Sequence, residues 1–217
     1  MNDILDLNNI LAIVLAYLIG SIPSAIWVSK WFFGIDVRDY GSKNAGATNT
    51  FRVIGKKAGF PVLFFDILKG WASVTFFSKL SAYGMGTNQH INLQLAIGLA
   101  AVFGHVYPIY ERFKGGKGVA TLLGIVLAIN LPAALVAFGV FLIIYVFSQY
   151  VSLGAISAAF CFPFITVFVF KAESTSLITF SIAISILVIY THRKNIERLL
   201  RNEESKMPLN INKSKKS

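Results

Sequence analysis

Cysteine is almost absent. Cys161 is the only one in 217 residues, so the chain has neither a disulfide framework nor a cysteine-held metal cluster. Charge is scarce as well: Asp, Glu, Lys and Arg make up 14% of the chain, where a soluble domain carries about a quarter. Negative charge is the scarcer sign, with ten acidic residues against twenty basic ones. Three histidines, with few carboxylates inside apolar segments, leave no metal site to argue for. No G-x-S-x-G elbow occurs, so nothing points to a serine-hydrolase triad. The H-x-x-x-x-D signature of the common acyltransferase superfamily is also missing, because His90, His105 and His192 are followed at the fifth position by Leu95, Tyr110 and Glu197. Residues 1–9 hold Asp3 and Asp6 but no Lys or Arg. That start lacks the basic region of a cleaved signal peptide, and the first apolar segment is expected to stay in the mature protein.

What the chain has in abundance is apolar sequence, 55% of all residues. The pattern predicts an all-α, polytopic integral membrane helix bundle of about seven transmembrane segments, near 10–33, 60–80, 93–110, 119–129, 131–147, 153–170 and 177–190, since a span needs roughly 20 apolar residues. Gly20-Ser21-Ile22-Pro23-Ser24-Ala25 places small residues and a kink inside the first. Asn130 and Pro132 mark a break between the fourth and fifth. At eleven residues the fourth is short, and it is expected to thin the bilayer or to be partly re-entrant. Residues 1–201 form one membrane domain, and the polar, basic stretch 202–217 reads as a disordered tail. The net charge of +10 lies in short loops and the tail, which fits a membrane surface and anionic substrates rather than nucleic acid. Arg38, Lys43, Arg52, Lys56, Lys57, Arg112, Lys114, Lys117 and the basic residues after His192 fall on one side if the N-terminus is outside and the C-terminus cytoplasmic, as the positive-inside rule requires.

The basic side also gathers the residues that can carry chemistry. In Phe113-Lys114-Gly115-Gly116-Lys117-Gly118-Val119-Ala120-Thr121, three glycines surround Lys117 at the start of an apolar helix. Successive backbone N–H groups and the helix N-terminus would converge there on a phosphate. The alternative is a flexible basic turn. A Walker loop does not fit, because Gly118 follows Gly116-Lys117 where Ser or Thr is needed. Ser42, Asn44, Thr48, Asn49 and Arg52 supply neutral donors and one forked cation, suited to a polyol phosphate or, more plainly, to an ordinary capped turn. Asp66 and Lys69 lie three apart on one helix face, either as a structural ion pair or with Lys69 completing an anion pocket. His105 and His192 are candidates for a general base or for structural roles, while Ser152 and Asn195 stand where they can reach the same mouth.

These motifs, Gly41-Ser42-x-Asn44-x-Gly46-Ala47-Thr48-Asn49-x-x-Arg52, Asp66-x-x-Lys69-Gly70, Gly104-His105-x-x-Pro108, the Lys114 to Thr121 turn, Tyr150-Val151-Ser152-Leu153 and His192-Arg193-x-Asn195-Ile196-x-Arg198-Leu199, occur in one order along most of the chain. Together they resemble the bacterial acyl-phosphate:glycerol-3-phosphate acyltransferases, the PlsY family. The resemblance implies an inner-membrane enzyme with its active site on the cytoplasmic side, acting without cofactor or metal. It would move a fatty acyl group from acyl phosphate to the 1-hydroxyl of glycerol 3-phosphate, giving lysophosphatidic acid and inorganic phosphate without a covalent acyl-enzyme. It further implies that Ser42, Arg52, Lys117, Ser152 and His192 contact substrate phosphates, with Asn44, Asn49, Lys69, His105 and Asn195 in or beside the pocket. Gly115, Gly116, Gly118 and Thr121 would belong to the acyl-phosphate loop. The hydroxyl proton would go to His105, His192 or the substrate's own phosphate, the last favoured because no well-placed carboxylate base is visible. An organophosphate or anion transporter with the same basic mouth is the rival reading, weakened by the lack of internal repeats.

Overall fold

The computed structural model describes residues 6–208, and every described element is helical. In chain order these are α1 (Leu7–Gly20), α2 (Ser24–Phe33), α3 (Ala47–Val53), α4 (Lys56–Phe77), α5 (Asn88–Val106), α6 (Val119–Ile129), α7 (Leu131–Ser148), α8 (Val151–Phe164), α9 (Thr175–Thr191) and α10 (Arg193–Leu200). A π-helical stretch, Ile165–Val169, extends α8 just past Pro163.

Five helical stretches are long and apolar enough to cross a membrane, and the bent pair α9 and α10 makes a sixth if counted as one span. The estimate of about seven is therefore at least one too many. The excess is α6, which with 11 residues falls well short of a bilayer. The predicted break before α7 is present. The Asn130 side chain accepts from the Ala133 N–H at 3.0 Å, and proline lies within the first turn, so one apolar run becomes two helices. The kink predicted at Gly20 to Pro23 separates α1 from α2.

With no hydrophobic drive between helices inside lipid, association depends on close packing. A Cβ on Gly70 would lie 2.2 Å from the Thr121 carbonyl, and one on Gly124 would lie 2.0 Å from that of Ile67. The α4 and α6 backbones are thus in direct contact, and α1 meets α5 in the same way at Gly20 and Gly104. The helices α4, α6, α7, α8, α9 and α5 pack in succession as a ring, with α1 against α4 and α5. The short α6 is held inside this ring rather than spanning on its own. Large apolar side chains such as Phe147 and Phe168, 86% and 73% exposed, face outward where lipid would lie.

The polar loops meet at one end of the ring. Arg38 bonds Asp36 at 2.7 Å and Glu111 at 2.9 Å, tying the loop after α2 to the loop before α6.

Candidate active site

A cavity of about 450 Å³ lies between these loops and the helices α6, α7, α8 and α9. Ser42, Asn44, Arg52, Lys117, Ser152, His192 and Asn195 line its polar end, so the structure brings together motifs separated by more than a hundred residues. Lys117 Nζ donates to Asn195 Oδ1. Burial lowers the Lys117 pKa to about 8, with Arg198 and Arg52 acting in the same direction and Glu204 against it. The His192 Nδ1 lies 2.8 Å from the Val188 carbonyl. That bond assigns the proton of a neutral ring to Nδ1 and leaves Nε2 as an acceptor. Toward its other end the cavity is apolar, walled by Leu123, Val126, Ala159, Phe162 and Ile184 among others.

Gly115, Gly116, Asn49, Lys69 and Thr121 serve differently from the simplest expectation. Gly115 N–H donates to the Val106 carbonyl and Gly116 N–H to the His105 carbonyl, both at 3.1 Å. These amides close the end of α5 and are not free to cradle a phosphate. Gly115 and Gly116 are small for steric reasons: a Cβ on the first would lie 2.0 Å from the His105 carbonyl, and on the second 2.2 Å from His105 Nε2. Gly118 is the conformational glycine, at φ 84° just ahead of α6, and the α6 N-terminus beyond it keeps the dipole that favours an anion. Asn49 lines the cavity, but its amide is spent on backbone: Nδ2 donates to Val37 and Tyr40 carbonyls, and Oδ1 accepts from the Ser42 N–H at 2.8 Å. Asn49 therefore shapes the turn that presents Ser42.

Lys69 is not at the cavity wall. Its Nζ lies 2.8 Å from Asp66 Oδ1 and donates to the Ile22 carbonyl at 2.9 Å. Ser24 also donates to Asp66 Oδ1 at 2.7 Å, and His105 Nδ1 lies 3.5 Å from it. The pairing reading of Asp66 and Lys69 holds, since two charges at 1% and 7% exposure need each other. Thr121 Oγ1 is 3.1 Å from His105 Nδ1. Thr121, His105 and Asp66 nevertheless form no catalytic triad, because Thr121 and Asp66 address the same ring nitrogen, and Thr121 is fully buried. His105 and Asp66 reach the cavity wall, as expected for His105, while Thr121 and Lys69 lie behind it and support the glycine turn.

Sequence reasoning missed Glu204. It lies in the stretch expected to be disordered from Asn202 onward, and within the described residues that expectation is corrected. Glu204 Oε1 accepts from Ser152 Oγ at 2.9 Å and Asn195 Nδ2 at 2.7 Å, and Oε2 from Arg198 Nε at 2.6 Å. Burial works to raise its pKa, but these donors outweigh it and hold the carboxylate ionised. The Met207 N–H donates to the Gln149 carbonyl, and Arg52 Nη2 donates to that of Ser205, so the chain after α10 crosses the cavity mouth. Residues 209–217, the rest of the predicted tail, lie outside the described residues. The one available signal was the acidic pair Glu203-Glu204 just after a basic helix, which composition alone marks as solvent-exposed.

Among the described residues, Arg52, Lys117 and Arg198 against Glu204, with Asp66 already paired to Lys69, leave the mouth electropositive, and the apolar cleft continues directly from it. Fold and site together define an integral membrane protein with one cavity that joins a cationic mouth to an apolar cleft. Relatives carry the assignment further. The chain is 44% identical over 194 residues to a glycerol-3-phosphate acyltransferase of Fusobacterium nucleatum, covering 89% of this chain and 95% of that one. It is 44% identical over 203 residues to the enzyme of the same name in Staphylococcus haemolyticus, covering 91% and 97%. Two crystal structures of PlsY (YgiH), an integral membrane glycerol 3-phosphate acyltransferase, share 38% identity and cover 92% of this chain. The glycerol 3-phosphate form covers 96% of the solved chain with a TM-score of 0.83, and the lysophosphatidic acid form covers 95% with 0.80. The glycerol-3-phosphate acyltransferase family profile matches residues 10–202. The chain belongs to the glycerol-3-phosphate acyltransferase family and is an integral membrane acyltransferase of phospholipid biosynthesis. The transporter alternative loses its support with that membership.

Proposed function

We propose that the protein transfers a fatty acyl group from acyl phosphate to the 1-hydroxyl of glycerol 3-phosphate, yielding 1-acylglycerol 3-phosphate and inorganic phosphate. The observation that carries this reading is the single cavity that joins an electropositive mouth to an apolar cleft. An acyl phosphate lies along it with its chain among α6 to α9 and its phosphate by Lys117 and the α6 N-terminus. Glycerol 3-phosphate enters the mouth beside Ser42, Asn44 and Arg52.

The hydroxyl oxygen attacks the acyl carbonyl carbon, forming the ester bond, and the carbonyl carbon's bond to the phosphate oxygen breaks. Acyl phosphate is already an activated anhydride, so alignment and charge stabilisation supply the catalysis. Among the cavity serines, Ser152 bonds Glu204 rather than a histidine, in keeping with direct transfer and no acyl-enzyme. Lys117, Arg52 and the α6 N-terminus stabilise the oxyanion and the departing phosphate. The hydroxyl proton passes to the phosphate of glycerol 3-phosphate, with His192 Nε2 as the competing acceptor. The distribution of basic residues among the loops supports a mouth on the cytoplasmic side of a bacterial inner membrane, with the N-terminus outside.

The test is phosphate release by the detergent-purified protein given acyl phosphate, with and without glycerol 3-phosphate. Release that depends on glycerol 3-phosphate, persists in His192→Ala at saturating substrate and collapses in Lys117→Ala is the expected result. Transfer from acyl-coenzyme A alone would overturn the donor assignment, and loss of turnover in His192→Ala would move the proton to the imidazole.

A further inference from the structure

The cavity ends in a wall, and a second void lies behind it. The four helices that enclose the cleft run from its polar end to its apolar end in step: Gly118 to Val126 on α6, Tyr145 to Ala134 on α7, Ser152 to Phe162 on α8 and His192 to Ile184 on α9. A small void of about 10 Å³ continues along the same four helices, touching Ile129, Ala133, Thr166 and Phe180. Val126 and Phe162 line both spaces, one from each side. Phe162 is 5% exposed, on the last turn of α8 next to Pro163. Its ring is the larger part of the partition.

We infer that Phe162, backed by Val126, is the residue that sets the acyl-chain length the enzyme accepts, an inference that rests on the acyl-phosphate reading above. Ser152 to Phe162 covers about 15 Å at about 1.5 Å per helical residue. That is half of the ~30 Å hydrocarbon thickness, the depth of one leaflet. A chain with its carboxyl end at the mouth and its methyl end at Phe162 therefore has the reach of a membrane acyl chain. Each further carbon has to displace the ring or leave the cleft. Phe162 touches no reacting atom, so its effect falls on which chain is used rather than on the chemistry.

The experiment measures kcat/KM for a saturated series from decanoyl to octadecanoyl phosphate, at fixed saturating glycerol 3-phosphate. Phe162→Ala joins the two spaces and opens about one more helical turn, ~5 Å, or about four carbons at roughly 1.2 Å per extended bond. Its optimum moves that far toward longer chains, while Phe162→Leu stays near the wild type. Ala159→Phe places a ring about one turn nearer the mouth and moves the optimum toward shorter chains by a similar amount. Because the two changes push in opposite directions, general loss of packing cannot imitate the pair. Wild-type and variant profiles with the same optimum overturn the inference, and so does an unmoved optimum in Ala159→Phe should Phe162→Ala fail to fold. A wild type that uses no acyl phosphate of any length overturns the donor reading instead.

Discussion

Gly116→Ala is the sharpest test of how the glycine turn is built. The added methyl would lie 2.2 Å from His105 Nε2 and 2.7 Å from the Ala45 carbonyl oxygen. Ordinary contact begins at 3.4 Å, so the turn has to move by about an ångström. Neither neighbour yields easily. The His105 ring is held by Thr121 and Asp66 in a buried cluster, and Ala45 belongs to the loop that carries Ser42 and Asn44. Lys117 follows in sequence and moves with the turn. A displacement of ~1 Å at a positioning element costs on the order of 100-fold in rate, or about 2.7 kcal/mol of transition-state stabilisation. The assay is glycerol 3-phosphate-dependent phosphate release, with thermal unfolding in the same detergent to separate a displaced loop from a failed fold. Gly139→Ala on α7 is the control, because a Cβ there meets nothing within 4 Å. If Gly116→Ala keeps kcat/KM within roughly threefold of wild type, about 0.6 kcal/mol, the account of these glycines as steric rather than decorative residues is refuted.

Two further outcomes follow from the charged mouth. Lys117 has its pKa lowered to about 8 from 10.5, first by burial. The free enzyme should lose kcat/KM for acyl phosphate as pH rises through 8, because the neutral amine no longer attracts its phosphate. Stability moves the other way: between pH 8 and 10.5 the unfolded chain binds the proton that the folded chain has released, so this group contributes increasing stability with pH. Lys117→Arg should carry the activity limb above that window, and a wild-type profile flat to pH 10.5 would contradict the assignment. Glu204→Ala removes the acceptor of three donors and leaves Arg198, Lys117 and Arg52 facing one another. A loss of about 2 kcal/mol, typical of a charged hydrogen bond, lowers Tm by ~4–8 °C. An unchanged melting curve would show that the segment after α10 is not part of the folded site.

Some features of this protein were decided within short stretches of chain. Apolar runs dictate membrane helices because unpaired backbone is too costly in lipid. Asn130 and Pro132 stop one helix and start another through a cap and a missing N–H, both local effects. Gly118 ahead of α6 is needed because its φ of 84° disfavours any other residue. The motif residues Ser42, Arg52, Lys117, Ser152, His192 and Asn195 were legible as a set through the resemblance their motifs carry, and the fold brings them to one cavity.

What tertiary structure decided concerns where each hydrogen bond and each charge finds its partner. Nothing in the sequence says that the Gly115 and Gly116 amides close α5, or that Asn49 spends its amide on Val37, Tyr40 and Ser42. Lys69 turns to Asp66 and Ile22 rather than to the cavity because the buried carboxylate and the carbonyl at the α1–α2 break meet it there. Glu204 enters the site only because the chain folds back after α10 onto Ser152, Asn195 and Arg198, a convergence of separate segments that no local pattern encodes. The cleft and the wall at Phe162 likewise exist only between four packed helices, since the shape of a cavity is a property of the surfaces that enclose it.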